Sequence, residues 1–257
     1  MAELVLSASS VDAYQNCHYR WYLAYVETRP GEQNIPAAIG LGVHAAVEDH
    51  YKTRLRGEEA VLATALDVFD TTFVLEAAGI SEPSEDPVKA RAIGRRVTTA
   101  YIEDVAPSIE PMLVEEAGEM DVNGIGYSVH IDLVDADGNV RDLKVKGSKP
   151  RYPTVYAFQL NGYALFYRYL TGKVEKDVML DIMIRLKRDR PYLVQISNGG
   201  PVTKYALGLF AARLEETAVG IDKGDYSPTG LETGACRYCP FAANDCVYYA
   251  AMEARNA

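Results

Sequence analysis

Four cysteines constrain this chain more than any other feature. Cys17 stands alone near the start, and Cys236, Cys239 and Cys246 cluster near the end. The cluster reads C-x-x-C, six residues, C, which is the spacing of a metal site rather than of scattered core thiols. If the four thiolates share one centre, the first helix must lie against the tail. Such a closure spans nearly all of the 257 residues, so it would restrict the unfolded chain strongly. Four thiolates satisfy tetrahedral Zn²⁺ or an iron–sulfur cluster, and the spacing alone does not choose between them. The opening MAELVLSASS lacks the basic region and long apolar core of a secretory signal. No stretch is long and apolar enough to span a membrane. The expected location is the cytoplasm, where disulfides are unusual.

Helical spacing fills the first hundred residues. It predicts helices over residues 9–26, 40–56, 59–78 and 88–104. Ser9 is the expected cap of the first, with Val11, Tyr14, Tyr22 and Tyr25 on its apolar side. After Pro107 and Pro111 the pattern changes to strands over 112–120, 125–135 and 139–145. The turn Asp135-Ala-Asp-Gly-Asn139 makes the last two a hairpin. A helix over 154–171, strands over 177–186 and 191–197, and a helix over 201–220 complete the reading. The expectation is one α/β domain over 1–257: a mainly helical part to residue 110, a mixed central sheet over 111–200, and a helix with the cysteine cluster over 201–257.

The chemistry concentrates in HIDLVDADGNVRDLKVKG, residues 130–147. Strand alternation puts Asp142 and Lys144 on one face, and the hairpin can bring Asp132 beside them. Two carboxylates and an ammonium suit phosphodiester hydrolysis. Hard oxygen ligands hold Mg²⁺ or Mn²⁺, and an ammonium offsets charge that develops in the transition state. The plain alternative is a surface hairpin of alternating charge.

These residues and their surroundings resemble the PD-(D/E)XK nucleases, and in particular their RecB-like branch of CRISPR-associated nucleases and phage exonucleases. The branch opens with a helix carrying two serines, a tyrosine and a cysteine in that order, matched by Ser7, Ser9, Tyr14 and Cys17. A G-x-x-x-H helix start is matched by Gly40 and His44, and D-x(n)-D-x-K by Asp132, Asp142 and Lys144. A Q-x-x-x-Y helix is matched by Gln159 and Tyr163, and the closing cysteines by Cys236, Cys239 and Cys246. The ordered set runs from residue 7 to residue 246. Two positions depart from the pattern. Val129 and His130 stand where a glycine usually precedes the first aspartate, and Val145 replaces the threonine after the lysine.

The resemblance implies a restriction-endonuclease-like core and a metal-dependent DNA exonuclease on single strands or DNA ends, with 5′ to 3′ polarity. It makes His44, Asp132, Asp142 and the Leu143 carbonyl metal ligands, and Lys144 the catalytic lysine. Gln159 and Tyr163 would border the site and help place the DNA strand. Cys17, Cys236, Cys239 and Cys246 would hold [4Fe–4S]. DNA is the implied partner, together with a recombination or CRISPR-adaptation protein; the oligomeric state is open. His130 is read as a surface or cross-strand histidine; Glu115 or Glu116, on the strand before the hairpin, could support the metal ligands from behind, but both are read as exposed strand carboxylates and left out of the site. The formal net charge of −10 opposes nucleic-acid binding unless cations gather locally. Two groups could do so: Lys144, Lys146, Lys149 and Arg151, and then Arg185, Lys187, Arg188 and Arg190. The 18 tyrosines could include stacking platforms for single-stranded bases. Two other readings stay open: a DNA-binding or assembly subunit with a nuclease fold and little activity, and a zinc-stabilised module unrelated to nucleic acid.

Overall fold

The computed structural model describes residues 4–31, 34–81, 83–151, 153–185, 191–242 and 245–256. In chain order they form β1 (Val5–Ser7), α1 (Ala8–Asn16), α2 (His18–Trp21), a π-turn (Tyr22–Val26), α3 (Ile35–Leu55), α4 (Leu62–Ala78) and α5 (Pro87–Asp104). Then come β2 (Pro111–Val122), β3 (Ile125–Asp135), β4 (Asn139–Lys146), α6 (Ala157–Thr171), β5 (Asp177–Ile184) and β6 (Tyr192–Ser197). The chain ends with α7 (Lys204–Asp222), α8 (Gly230–Thr233) and α9 (Val247–Asn256). Lys187, Arg188, Arg190 and the expected strand end at residue 186 lie outside the described residues.

The chain divides into two compact units. The larger comprises Gln33–Gly118 and His130–Leu207. Within it, β4 runs antiparallel to the end of β3 and parallel to β5, and β5 pairs antiparallel with β6. This is the mixed sheet of an α/β fold, with α3, α5 and α6 packed against its strands. The β3–β4 turn is tight: Gly138 takes a positive φ, its amide donates to the Asp135 carbonyl, and the Asn139 amide donates to the Asp135 carboxylate.

The helix that carries His44 starts earlier than spacing suggested. Asn34 caps α3 by accepting from the Ala37 amide, and Pro36 occupies the first turn, where a missing N–H costs nothing. His44 therefore sits inside a long helix, not at its start. Nor is Gly40 required by packing, since a Cβ there would meet nothing within 4 Å. Against α4 the tight glycines are Gly42 and Gly94, where a Cβ would fall 2.9 Å and 2.1 Å from the Phe69 ring. Phe69 is fully buried, so these two contacts let α3 and α5 close on α4. The core so formed runs from Ile39, Val43 and Val47 through Phe73, Val97 and Tyr101 to Leu133, Leu143 and Met183.

The smaller unit comprises Met1–Glu32, Glu119–Val129 and Gly208–Ala257. In it, β1 pairs parallel with Gly126–Ser128 of β3. The β2–β3 connection is Asn123-Gly124, both at positive φ, as a two-residue hairpin requires. The predicted helix over 9–26 is not continuous. Ser7, not Ser9, caps α1 by accepting from the Ser10 amide at 3.2 Å. The helix then breaks at Cys17, whose backbone is extended. Tyr14 is buried, but Tyr25 is 45% exposed rather than on an apolar face.

Candidate active site

The β3–β4 ladder pairs Leu133 with Arg141 and Val134 with Val140. Beyond that point the Leu143 amide donates instead to Asp132 Oδ2, at 2.7 Å. A carboxylate has taken the place of a ladder carbonyl, which fixes Asp132 against β4. Its other oxygen accepts from the Tyr163 hydroxyl at 3.3 Å, and Gln159 Nε2 donates to that hydroxyl at 2.9 Å. Gln159 and Tyr163 are one turn apart on α6, so they act along one face. Tyr163 is buried, with 3% exposure, and its hydroxyl is spent on Asp132. It positions a carboxylate; it does not offer a surface to a strand.

Asp142 and Lys144 share a face, as alternation requires, and Lys144 Nζ donates to Asp142 Oδ1 at 2.6 Å. Asp142 is wholly buried, and its Oδ2 has no hydrogen-bond partner among the described residues. An orphaned buried carboxylate oxygen is costly. Burial, with Asp132 nearby, pushes the Asp142 pKa up to about 7 despite Lys144. The Asp132 carboxyl is also held above the usual range, chiefly by burial.

His44 reaches the same place from α3. Ligand atoms of His44, Glu115 and Asp132 all lie within 4.8 Å of one another. Burial and the Lys144 charge lower the His44 pKa, which keeps its ring neutral and its lone pair available. A hydrogen bond to the Leu143 backbone acts the other way and puts that backbone at the imidazole.

Glu115 is the residue that sequence reasoning left out. It lies on β2 with φ +53°, a left-handed conformation that costs a non-glycine residue about 1–3 kcal/mol. His130 Nε2, on β3, lies 2.8 Å from its carboxylate. Burial and the Asp132 and Glu48 charges raise the Glu115 pKa to about 8. His130 is thus a cross-strand partner, as expected, while Glu115 is not a plain exposed carboxylate. Glu116, its neighbour, is not among the three clustered groups.

The donor set suits a divalent cation. Three carboxyl groups resist ionisation together, one carboxylate oxygen has no donor among the described residues, and a neutral imidazole faces them. A bound cation reverses each of those costs. The sign follows directly. Protons compete with the cation for Glu115 and Asp142, whose raised values lie near 8 and 7. Mn²⁺ affinity should therefore rise between pH 6 and pH 8, by about tenfold per unit where one proton is displaced. Calorimetric titration at three pH values checks this, and Glu115→Gln should flatten the upper part of the rise.

In the smaller unit the four cysteines are free and line one apolar cavity with Tyr19, Arg20, Leu23, Pro228 and Leu231. The break at Cys17 is held by the His18 amide donating to Thr229 Oγ1. Gly230 leaves room for it, since a Cβ there would sit 2.9 Å from Cys17 Cβ. Burial raises the Cys236 and Cys239 thiols, and the other sulfurs add to it. Converging thiols that resist ionisation together fit a cationic centre.

A profile of the PD-(D/E)XK nuclease superfamily matches residues 5–244. The chain belongs to that superfamily. Among solved structures it is similar to a provisionally assigned exonuclease from Eubacterium rectale. The TM-score is 0.59 at 13% identity, over 87% of this chain and 83% of that one. A second structure, SSO0001, matches at 15% identity over 90% and 95% of the two chains, with a TM-score of 0.37. The first likeness shows a shared fold. No curated protein matches the chain.

Proposed function

We propose that this chain is a metal-dependent deoxyribonuclease, an exonuclease acting 5′ to 3′ on single-stranded DNA or DNA ends. The observation that carries the reading is the convergence of His44, Glu115 and Asp132 within 4.8 Å, beside a lysine paired to a buried aspartate at 2.6 Å. His44, Asp132, Asp142 and the Leu143 carbonyl would hold Mg²⁺ or Mn²⁺, and Glu115 joins them. The chemistry a bound ion supplies is polarisation of the scissile phosphate and a more acidic water. Lys144 orients that water or offsets the developing charge. Tyr163 and Gln159 hold Asp132 in place. The exonuclease assignment of the Eubacterium rectale relative supports the end-directed part of this proposal. Among the described residues no helix is long and apolar enough to cross a membrane.

The same proposal gives Cys17, Cys236, Cys239 and Cys246 a [4Fe–4S] cluster with a structural role. Protein purified without oxygen should be brown, absorb near ~400 nm and carry about four irons per chain. Colourless protein with a single zinc would overturn this part alone. Replacing Cys17 with serine should bleach the absorbance and lower the melting temperature, read by visible spectroscopy and circular dichroism.

Oligonucleotides labelled at either end, single-stranded or duplex, test the activity. The expected result is Mn²⁺- or Mg²⁺-dependent shortening, stopped by EDTA, with the 5′ label lost first. Binding without cleavage would favour the second reading, a DNA-binding subunit, which the net charge of −10 and the altered residues before Asp132 keep in view.

A further inference from the structure

One basic residue beside the site has no place in the chemistry above. Alternation along β4 puts Lys146 on the same face as Asp142 and Lys144. Lys144 is committed to Asp142 at 2.6 Å. Lys146 has no carboxylate in ion-pair contact among the described residues; its ammonium instead lies 5.7 Å from the centre of the Tyr156 ring. The Lys144 ammonium lies 5.6 Å from the same ring. Both distances are within cation–π range. Tyr156 and Lys146 are each half-buried, and Gly147, Ser148 and Lys149, which follow, are exposed.

Tyr156 stands immediately before the first residue of α6. Residues 156, 159 and 163 follow helical spacing, so Tyr156, Gln159 and Tyr163 form one stripe. The stripe starts at Asp132, where Tyr163 is bonded, and ends at the two ammonium groups. Seven residues of helix span about 10 Å. That rise separates the Tyr156 end of the stripe, beside Lys144 and Lys146, from the Tyr163 end at Asp132.

Resting on the nuclease reading above, we propose that Tyr156 and Lys146 form a nucleotide subsite beside the scissile bond. The Tyr156 ring carries the base or sugar of the neighbouring nucleotide, and the Lys146 ammonium takes its phosphate. Lys144 remains with Asp142. A ring accepts any base face, and an ammonium accepts any phosphate. The subsite therefore selects a flexible single strand without selecting sequence.

The test uses the full-length protein and a fluorescent oligothymidylate. Binding is read by anisotropy with Ca²⁺ in place of the cleaving metal, and cleavage by initial rates with Mn²⁺. Tyr156→Leu should weaken binding about tenfold and Tyr156→Phe hardly at all, since the ring does the stacking. Lys146→Gln should weaken binding and lower the dependence of log affinity on log salt by about one phosphate contact. In cleavage, KM should rise with kcat nearly retained. Thermal melts establish that each variant is folded. Wild-type affinity in Tyr156→Leu would overturn the subsite, and so would a fall in kcat at constant KM, because the ring would then only be steadying Lys144. A wild-type protein that binds but does not cleave, with binding still sensitive to both variants, would remove the nuclease reading and leave the subsite standing. A wild-type protein that does neither would overturn both.

Discussion

Replacing Lys144 with alanine should leave a folded protein whose metal-dependent cleavage has fallen by a factor of about 10² to 10³. Two effects add. The charge that offsets the developing negative charge is gone. Asp142, wholly buried, also loses the Lys144 ammonium, which donates to its carboxylate at 2.6 Å. Its pKa, already about 7, must climb further, because Lys144 does more than His44 to lower it. The residual activity should therefore shift to higher pH as well as shrink. Lys144→Arg should not restore the rate, since a planar guanidinium is not a point charge on a flexible stem. Initial rates across pH 6 to 9 check both parts, and an unchanged rate in Lys144→Ala would remove the lysine from the chemistry.

The second large effect concerns stability and lies on the other face of β4. Arg141 is buried and bonded to Asp135 at 3.0 Å and to Asp181 at 3.2 Å. Asp181 also accepts from Gln195 at 3.0 Å and from Tyr101 at 3.2 Å, and Tyr101 in turn meets the Tyr51 hydroxyl at 3.3 Å. Asp181→Leu strips one carboxylate from a buried guanidinium and takes the acceptor from the buried Tyr101 hydroxyl. Breaking a buried pair from one side costs about 3–5 kcal/mol, a large share of a typical domain's stability. Urea midpoints at 25 °C read the loss. The double variant Arg141→Met with Asp181→Leu should recover part of it, because the uncompensated charge is then gone. A loss below about 1 kcal/mol in Asp181→Leu would mean that water reaches Arg141.

Much of this site can be read in the sequence because it follows short-range rules. Alternation alone puts Asp142 and Lys144 on one face, and a glycine turn brings Asp132 across. The spacing of Gln159 and Tyr163 gives their common face. What cannot be read has physical causes too. Glu115 turns inward because its backbone adopts φ +53°, and an ordinary glutamate carries no sign of that. The break at Cys17 depends on the Thr229 hydroxyl, more than two hundred residues away, so local helical spacing runs straight through it. The early start of α3 was marked by Asn34 and Pro36, a cap and first-turn pair. The glycines of GLGVH lie inside the helix, more than one turn past its true start.

Cleavage by the Asp132→Asn protein, set against wild type over a Mn²⁺ titration, tests the central claim most directly. Asp132 lies within 4.8 Å of His44 and Glu115 and accepts from the Leu143 amide at 2.7 Å. The expected result is saturable, EDTA-sensitive shortening of single-stranded DNA by wild type, with none by the folded variant at any Mn²⁺ concentration. Equal cleavage by both proteins would mean that the activity does not arise at this site, and the account of a metal held between His44, Glu115 and Asp132 would be wrong.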